Sequence, residues 1–310
     1  MDASGKMRVR AGCMAVVIAL MFFGCSTATK RTSRTSIAPF SAYDRQESTT
    51  LEKQQWAERN CPFGMPDTDP SWPHGPTAHV YHEGYVLQSS LVNKIPLWVS
   101  ERVTLEQLSG NAERKNNFKL DPELKGLPHA TDGDYTGSGY DRGHQAPAGN
   151  QKHSQRLNDE TFYFSNMAPQ APKFNRQVWE SLESLTRDWV KQEKLQDCYI
   201  ITGGFLYEPE EDDPDTADGL IDYFTIGTGQ VTVPSHFYKI VVGKDTQGEW
   251  KAVGFVMENR QYDWPYVWQE YVKSVDWIEE RTGLDFMPDL DPLDEQRLEK
   301  NAAQLGSLPE

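Results

Sequence analysis

Apolar and polar positions change their period several times along the chain, and each period implies an element. Val178, Trp179, Leu182, Leu185, Trp189 and Val190 recur at helical spacing, which predicts an amphipathic helix beginning at Asn175. Short runs rich in aromatic and β-branched residues predict strands at 85–89, 97–100, 161–166, 198–204, 235–242 and 250–257. A second apolar stripe (Val267, Tyr271, Val275, Ile278) predicts a helix over 266–282, closed by Gly283. Between these elements, residues 131–139 are glycine-rich and turn-prone. The run 208–222 holds eight carboxylates and no base, which reads as a solvated loop. There is no internal repeat and no glycine-rich phosphate loop, which argues against Walker-type nucleotide hydrolysis.

The ends of the chain lack these periods. Lys6, Arg8 and Arg10 precede an apolar run from Ala11 to Phe23, too short to span a bilayer as a helix. Gly24-Cys25 then resembles a bacterial lipoprotein cleavage site, with Phe22 where a leucine is usual. On this reading residues 1–24 are a signal peptide of lipoprotein type. Cys25 becomes the lipidated first residue, and the protein is exported to the periplasm or cell surface of a bacterium on a membrane anchor. Residues 25–76 read as a disordered Ser/Thr-rich tether and a proline-rich linker, with a short helix near 51–60. The globular domain is expected over 77–290, and 291–310 as a polar tail that packs little.

Composition narrows the picture only slightly. Nine tryptophans and 37% hydrophobic content in 310 residues indicate a globular protein with ample core. The net charge of −15 argues against a broad nucleic-acid-binding face, though not against a local positive cleft. Outside the targeting segment only Cys61 and Cys198 remain; in an exported protein they form one disulfide or stay as two buried thiols.

Candidate chemistry concentrates at Tyr140-Asp141-Arg142-Gly143-His144-Gln145-Ala146-Pro147. In an extended segment Arg142 and His144 share a face. A fixed cation beside an imidazole suits phosphate handling, one holding an anionic oxygen and the other moving a proton.

Asp141-Arg142-Gly143-His144 resembles the DRGH motif of the DNA/RNA non-specific endonucleases, which include secreted bacterial nucleases and endonuclease G. The resemblance continues through Ser165-Asn166-Met167-Ala168-Pro169-Gln170, Phe174-Asn175-Arg176-Gln177 with Glu183, Val233-Pro234-Ser235-His236 and Thr282-Gly283-Leu284. It covers roughly residues 80–290. It implies an α+β fold with a central antiparallel sheet flanked by helices and a ββα-metal motif at the active site.

By the same resemblance, His144 is the general base, Arg142 binds the phosphate and Asn166 helps to orient the base or the scissile group. Asn175 is the one direct ligand of a divalent metal (Mg2+, Mn2+ or another), and Glu183 acts on that metal through water. Eight residues separate Asn175 from Glu183, about 80° around an α-helix, so both can face one site. The implied activity is metal-dependent hydrolysis of DNA and RNA leaving 5′-phosphates. The competing reading is a silent lipoprotein on the same fold that binds nucleic acid or a partner. Secreted members carry a further arginine upstream of the motif; here Asn116-Asn117-Phe118 holds that place, with Arg114 and Lys115 beside it and the role unassigned.

Overall fold

The computed structural model describes residues 7–10 and 48–300. Seven strands form one antiparallel sheet, in the spatial order Val272–Lys273, Trp250–Glu258, His236–Lys244, Gln196–Phe205, Pro96–Val103, Tyr85–Ser90 and Thr77–His82. Side chains alternate between its faces. Along His236–Lys244, Phe237 and Val241 enter one apolar cluster while Tyr238, Ile240 and Val242 enter the other. The first face is covered by the helix Glu180–Lys191 through Leu182, Trp189 and Val190. The second is covered by the helix Val275–Thr282, through Val275 and Ile278, and by Leu298. Truncating a buried tryptophan such as Trp179 or Trp189 to alanine costs about 3–5 kcal/mol at such positions.

Several expectations need correction. Residues 161–166 are not a strand: Thr161 caps a short helix, Phe164–Asn166 form a single 3-10 turn, and the strand follows at Met167–Gln170. The aromatic run is there to fill the core, since Phe162, Tyr163 and Phe164 are all buried. The helix expected over 266–282 is confined to Val275–Thr282, because Ser274 caps it and Trp268–Tyr271 forms a separate 3-10 turn. Gly283 does end it, in the left-handed conformation.

The ends also differ. Residues 50–68, assigned to the linker, belong to the folded body. Thr50–Asn60 is a helix with a Thr49–Glu52 capping box, and Asn60 clasps the sheet by accepting from Arg102 N (3.1 Å) and Ser100 Oγ (2.6 Å). Asp67–Thr68 pairs with Leu284–Asp285. The expected loose tail contains the helix Pro292–Leu298, which buries Leu298 and ties Arg297 Nη1 to the Trp250 carbonyl at 2.9 Å. Met7–Arg10, within the expected signal peptide, forms a strand antiparallel to Leu220–Tyr223. Cys25 and the cleavage site lie outside the described residues.

Cys61 and Cys198 are free thiols rather than a disulfide. The sheet keeps them apart: Cys61 packs in the cluster on one face and Cys198 in the cluster on the other. Burial pushes both thiols up to about 12, so neither is a reactive thiolate. Denaturation without reductant followed by alkylation is therefore expected to label both cysteines. A reductant is expected to leave Tm unchanged; a bridged peptide joining Cys61 to Cys198 would contradict this arrangement.

Candidate active site

The DRGH strand Asp141–His144 pairs with Met167–Gln170, setting His144 opposite Met167 and Arg142 opposite Pro169. Gly143 is required there, because a β-carbon would run into the Gln170 side chain. Just after the strand, the buried Asn166 fixes the turn. Its Oδ1 accepts from Ala146 N (2.9 Å), and its Nδ2 donates to the carbonyls of Ala146 (2.8 Å) and Thr161 (2.9 Å). Every polar atom of that side chain is thus spent on backbone. Of the two roles expected of Asn166 the contacts fit the first: it holds the segment that carries His144, and its side chain does not reach toward a scissile group.

His144 is 6% exposed, edge-on to Phe162 at 4.9 Å between ring centres. Burial first, then the nearby Arg114, push its pKa down to about 3, against a hydrogen bond to the Arg142 backbone. Its Nε2 is buried with no hydrogen-bond partner among the described residues, so the Arg142 carbonyl engages Nδ1–H. The imidazole is neutral near pH 7 and presents a free acceptor nitrogen.

The helix side of the site begins with an irregularity. Phe174–Trp179 form a π-helical turn that runs into the α-helix Glu180–Lys191. Phe174 stacks on Trp179 (5.2 Å) and Phe237 (5.4 Å), which anchors the turn on the sheet. Asn175 lies in that turn, and π-turns of this kind often mark functional sites. Its Nδ2 donates to Asp141 Oδ2 at 2.9 Å, which leaves its amide oxygen unclaimed. Asp141 also accepts two bonds from Arg176 (2.7 and 2.6 Å). Although burial opposes its charge, Arg176 and Asn175 hold the carboxyl below its usual value.

A cleft of about 450 Å3 lies between strand and helix, lined among others by Arg114, His144, Asn175, Arg176, Glu183 and Arg187. The structure therefore brings His144, Asn175 and Glu183 together. Burial raises the Glu183 pKa, opposed by Lys239 and Arg187, whose Nη1 lies 3.7 Å from Glu183 Oε2. Arg142 is not among the lining side chains. It pairs with Asp132, and its guanidinium lies 5.1 Å from the Phe118 ring centre and 5.9 Å from that of Tyr135. The face it shares with His144 is real, since both reach Phe118. Its charge, however, is directed to a carboxylate.

Three arginines line the cleft instead, of which Arg176 is paired with Asp141. Arg114 lies 5.1 Å over Phe162 with Nε bonded to Asn116 Oδ1 (2.9 Å). Arg187 donates to Ser184 Oγ (2.9 Å) and Asn150 Oδ1 (3.3 Å). Sequence reasoning left Arg114 without a role and missed Arg187. The available signal was spacing: Arg187 follows Glu183 by four residues and shares its helix face. Beneath them the sheet carries a buried polar row. Asn150 Nδ2 donates to Glu101 Oε1 (2.8 Å), and Lys239 Nζ to Thr202 Oγ1 (2.9 Å). Burial raises Glu101 to about 8 and lowers Lys239.

The donor set suits a hard divalent cation. The free amide oxygen of Asn175 and the desolvated carboxylate of Glu183 are both oxygen ligands, and a cation would relieve the unfavourable burial of Glu183's charge.

Comparison with known proteins agrees with this geometry. Residues 73–293 match the DNA/RNA non-specific endonuclease family. Human endonuclease G is 35% identical over 211 residues, covering 67% of this chain and 69% of its own. Nuclease C1 of Cunninghamella echinulata var. echinulata is 33% identical over 214 residues, 67% of this chain and 82% of that one. A chain in the crystal structure of the EndoG/EndoGI complex superposes with a TM-score of 0.66 at 32% identity, covering 79% of this chain and 95% of that chain. A seven-stranded antiparallel sheet, a DRGH strand facing an Asn175–Glu183 helix, and a match across most of the length lead to one conclusion: this chain belongs to the DNA/RNA non-specific endonuclease family, a family of divalent-metal-dependent nucleases.

Proposed function

We propose that the cleft hydrolyses phosphodiester bonds of DNA and RNA without regard to sequence, with His144 as general base, and releases 5′-phosphates. The observation that carries this reading is the unpartnered Nε2 of a neutral, buried His144 in the same cleft as Asn175 and Glu183. Nε2 accepts a proton from the attacking water, while the Arg142 carbonyl holds Nδ1–H and so fixes the tautomer. The water oxygen joins phosphorus and the 3′ oxygen leaves. No 2′-hydroxyl takes part, so DNA and RNA are equivalent in the chemical step. Arg114 and Arg187 neutralise the charge growing on the phosphate oxygens. Asn175, aimed by Asp141, and Glu183 would hold one divalent metal, magnesium by preference, which when bound supplies further positive charge at the phosphate.

Net charge does not oppose this. Arg114, Lys152, Arg176 and Arg187 line the cleft against Glu180 and Glu183. The acidic run 208–222 lies elsewhere: Asp212 pairs with Arg281, on the helix that covers the opposite face of the sheet. The field at the cleft is therefore positive although the sum over the chain is negative.

Purified protein is expected to cleave plasmid DNA and RNA with magnesium and to stop on addition of a chelator. His144→Ala should lower the rate by about 10²–10⁴-fold. Failure of the wild type across several divalent metals, or full activity in His144→Ala, would overturn the assignment.

The placement of the arginines gives an ordering. Arg114→Ala and Arg187→Ala should each cost about 10²-fold or more in kcat, whereas Arg142→Ala, whose charge is committed to Asp132, should cost less. The reverse order would restore Arg142 as the phosphate ligand.

A third expectation concerns pH. With His144 held near 3 when folded and near its ordinary value of about 6.5 when unfolded, the unfolded chain takes the proton first. The resulting penalty is absent above about pH 6.5 and grows as pH falls toward 3. Between pH 7 and pH 5 the wild type should lose about 1–2 kcal/mol of stability that His144→Ala does not lose. Parallel urea titrations of the two proteins check the difference.

A further inference from the structure

A second group of ligands lies where the C-terminal helix meets the body. Glu299, just past Pro292–Leu298, accepts from Asp276 N through its backbone carbonyl at 3.2 Å. The contact gathers the carboxylates of Asp276, Glu279 and Glu299, with one oxygen of each within 4.8 Å of the others. This is not a solvated acidic face. Glu299 is only 3% exposed, and its Oε1 is buried with no hydrogen-bond partner among the described residues. Glu279 Oε1 accepts from Phe286 N (2.8 Å), which orients the second carboxylate. Burial, followed by neighbouring carboxylates that include Asp285 and Glu295, pushes Glu279 up to about 7 and Glu299 up to about 8.

Three converging carboxylates, one of them buried and unsatisfied, are costly without a compensating charge. Nothing in the nuclease chemistry uses them, since none lines the catalytic cleft. We propose that Asp276, Glu279 and Glu299 bind a hard divalent cation of the calcium type, which fastens the C-terminal helix to the helix Val275–Thr282. The chemistry favours calcium. It takes carboxylate oxygens and water in a flexible geometry with a larger coordination number, whereas magnesium demands a near-ideal octahedron and gives up its water reluctantly. Asp276 and Glu279 are half-exposed, so water can complete the larger coordination number that calcium takes. The site also accounts for the docking of Glu299 against Asp276 and Glu279, where Lys300 near Asp276 offsets only part of the like-charge repulsion.

The full chain, freed of metal by chelation, tests this by thermal melting with and without calcium. A Glu183→Gln background identifies any contribution from the catalytic cleft. Saturating calcium should raise Tm by roughly 5 °C in Glu183→Gln, and should leave the double variants Glu183→Gln/Glu299→Gln and Glu183→Gln/Asp276→Asn unmoved. Terbium luminescence should count one site in Glu183→Gln that both double variants lose. If Glu183→Gln/Glu299→Gln does not fold, Glu183→Gln/Asp276→Asn decides, because the Asp276 side chain is half-exposed. The proposal fails if calcium leaves the wild type unmoved while acid stabilises it, which would mean a shared proton instead. It fails equally if the calcium shift survives in Glu183→Gln/Asp276→Asn or is absent from Glu183→Gln.

Discussion

The active site is made of two halves on separate elements, and the Asp141 carboxylate joins them. Asp141 opens the strand that carries His144, and it grips both Asn175 and Arg176 on the facing turn. Energetically this tie is small, because Arg176 is largely exposed and such surface pairs contribute under about 1 kcal/mol. Its importance is directional. By taking the amide N–H of Asn175 it decides which end of that side chain faces the cleft. The adhesion itself comes from the stacked rings of Phe174, Trp179 and Phe237, which seat the turn on the sheet. Packing supplies the strength and a polar contact supplies the aim.

This division explains what could be read in the sequence. The apolar stripe from Val178 to Val190 and the buried strands follow from burial periodicity, so the antiparallel sheet and its covering helix were legible, as was the family through its motif blocks. An uninterrupted α-helix would place Asn175 and Glu183 about 80° apart. The chain instead passes through a π-turn, where each residue turns less about the axis, and still both side chains reach the cleft. The partners of Arg142 and Asn166 were not legible, because spacing shows which face a side chain takes but not which partner claims it. Asp132 lies ten residues before Arg142, and Ala146 lies twenty before Asn166. Those contacts exist only once the loop has folded back.

The misread segments share one cause. Residues 161–166 have strand composition but turn geometry, because three consecutive aromatic rings were needed in the core beside His144 and His82 rather than on a ladder. Residues 292–298 look solvated by composition, yet a buried leucine and an arginine contact tie them to the body. Composition reports the average environment of a segment, while its structure can be set by one or two side chains.

The buried polar row beneath the cleft follows from the demands of the site rather than of the sheet. Lys239 and Thr202 occupy positions on the same sheet face as Phe237 and Ile200, where an apolar residue would pack at lower desolvation cost. Both partners nearest to Glu183 in charge, Lys239 and Arg187, act to keep its carboxylate ionised against burial. An apolar residue at 239 would leave Arg187 to do this nearly alone, while Arg187 is already shared with Asn150 and Ser184. A desolvated carboxylate with too little opposing charge takes up a proton, and a protonated Glu183 is a poor partner for a cation. The lysine in the core is thus the counterpart, inside the sheet, of the positive charge lining the cleft above it.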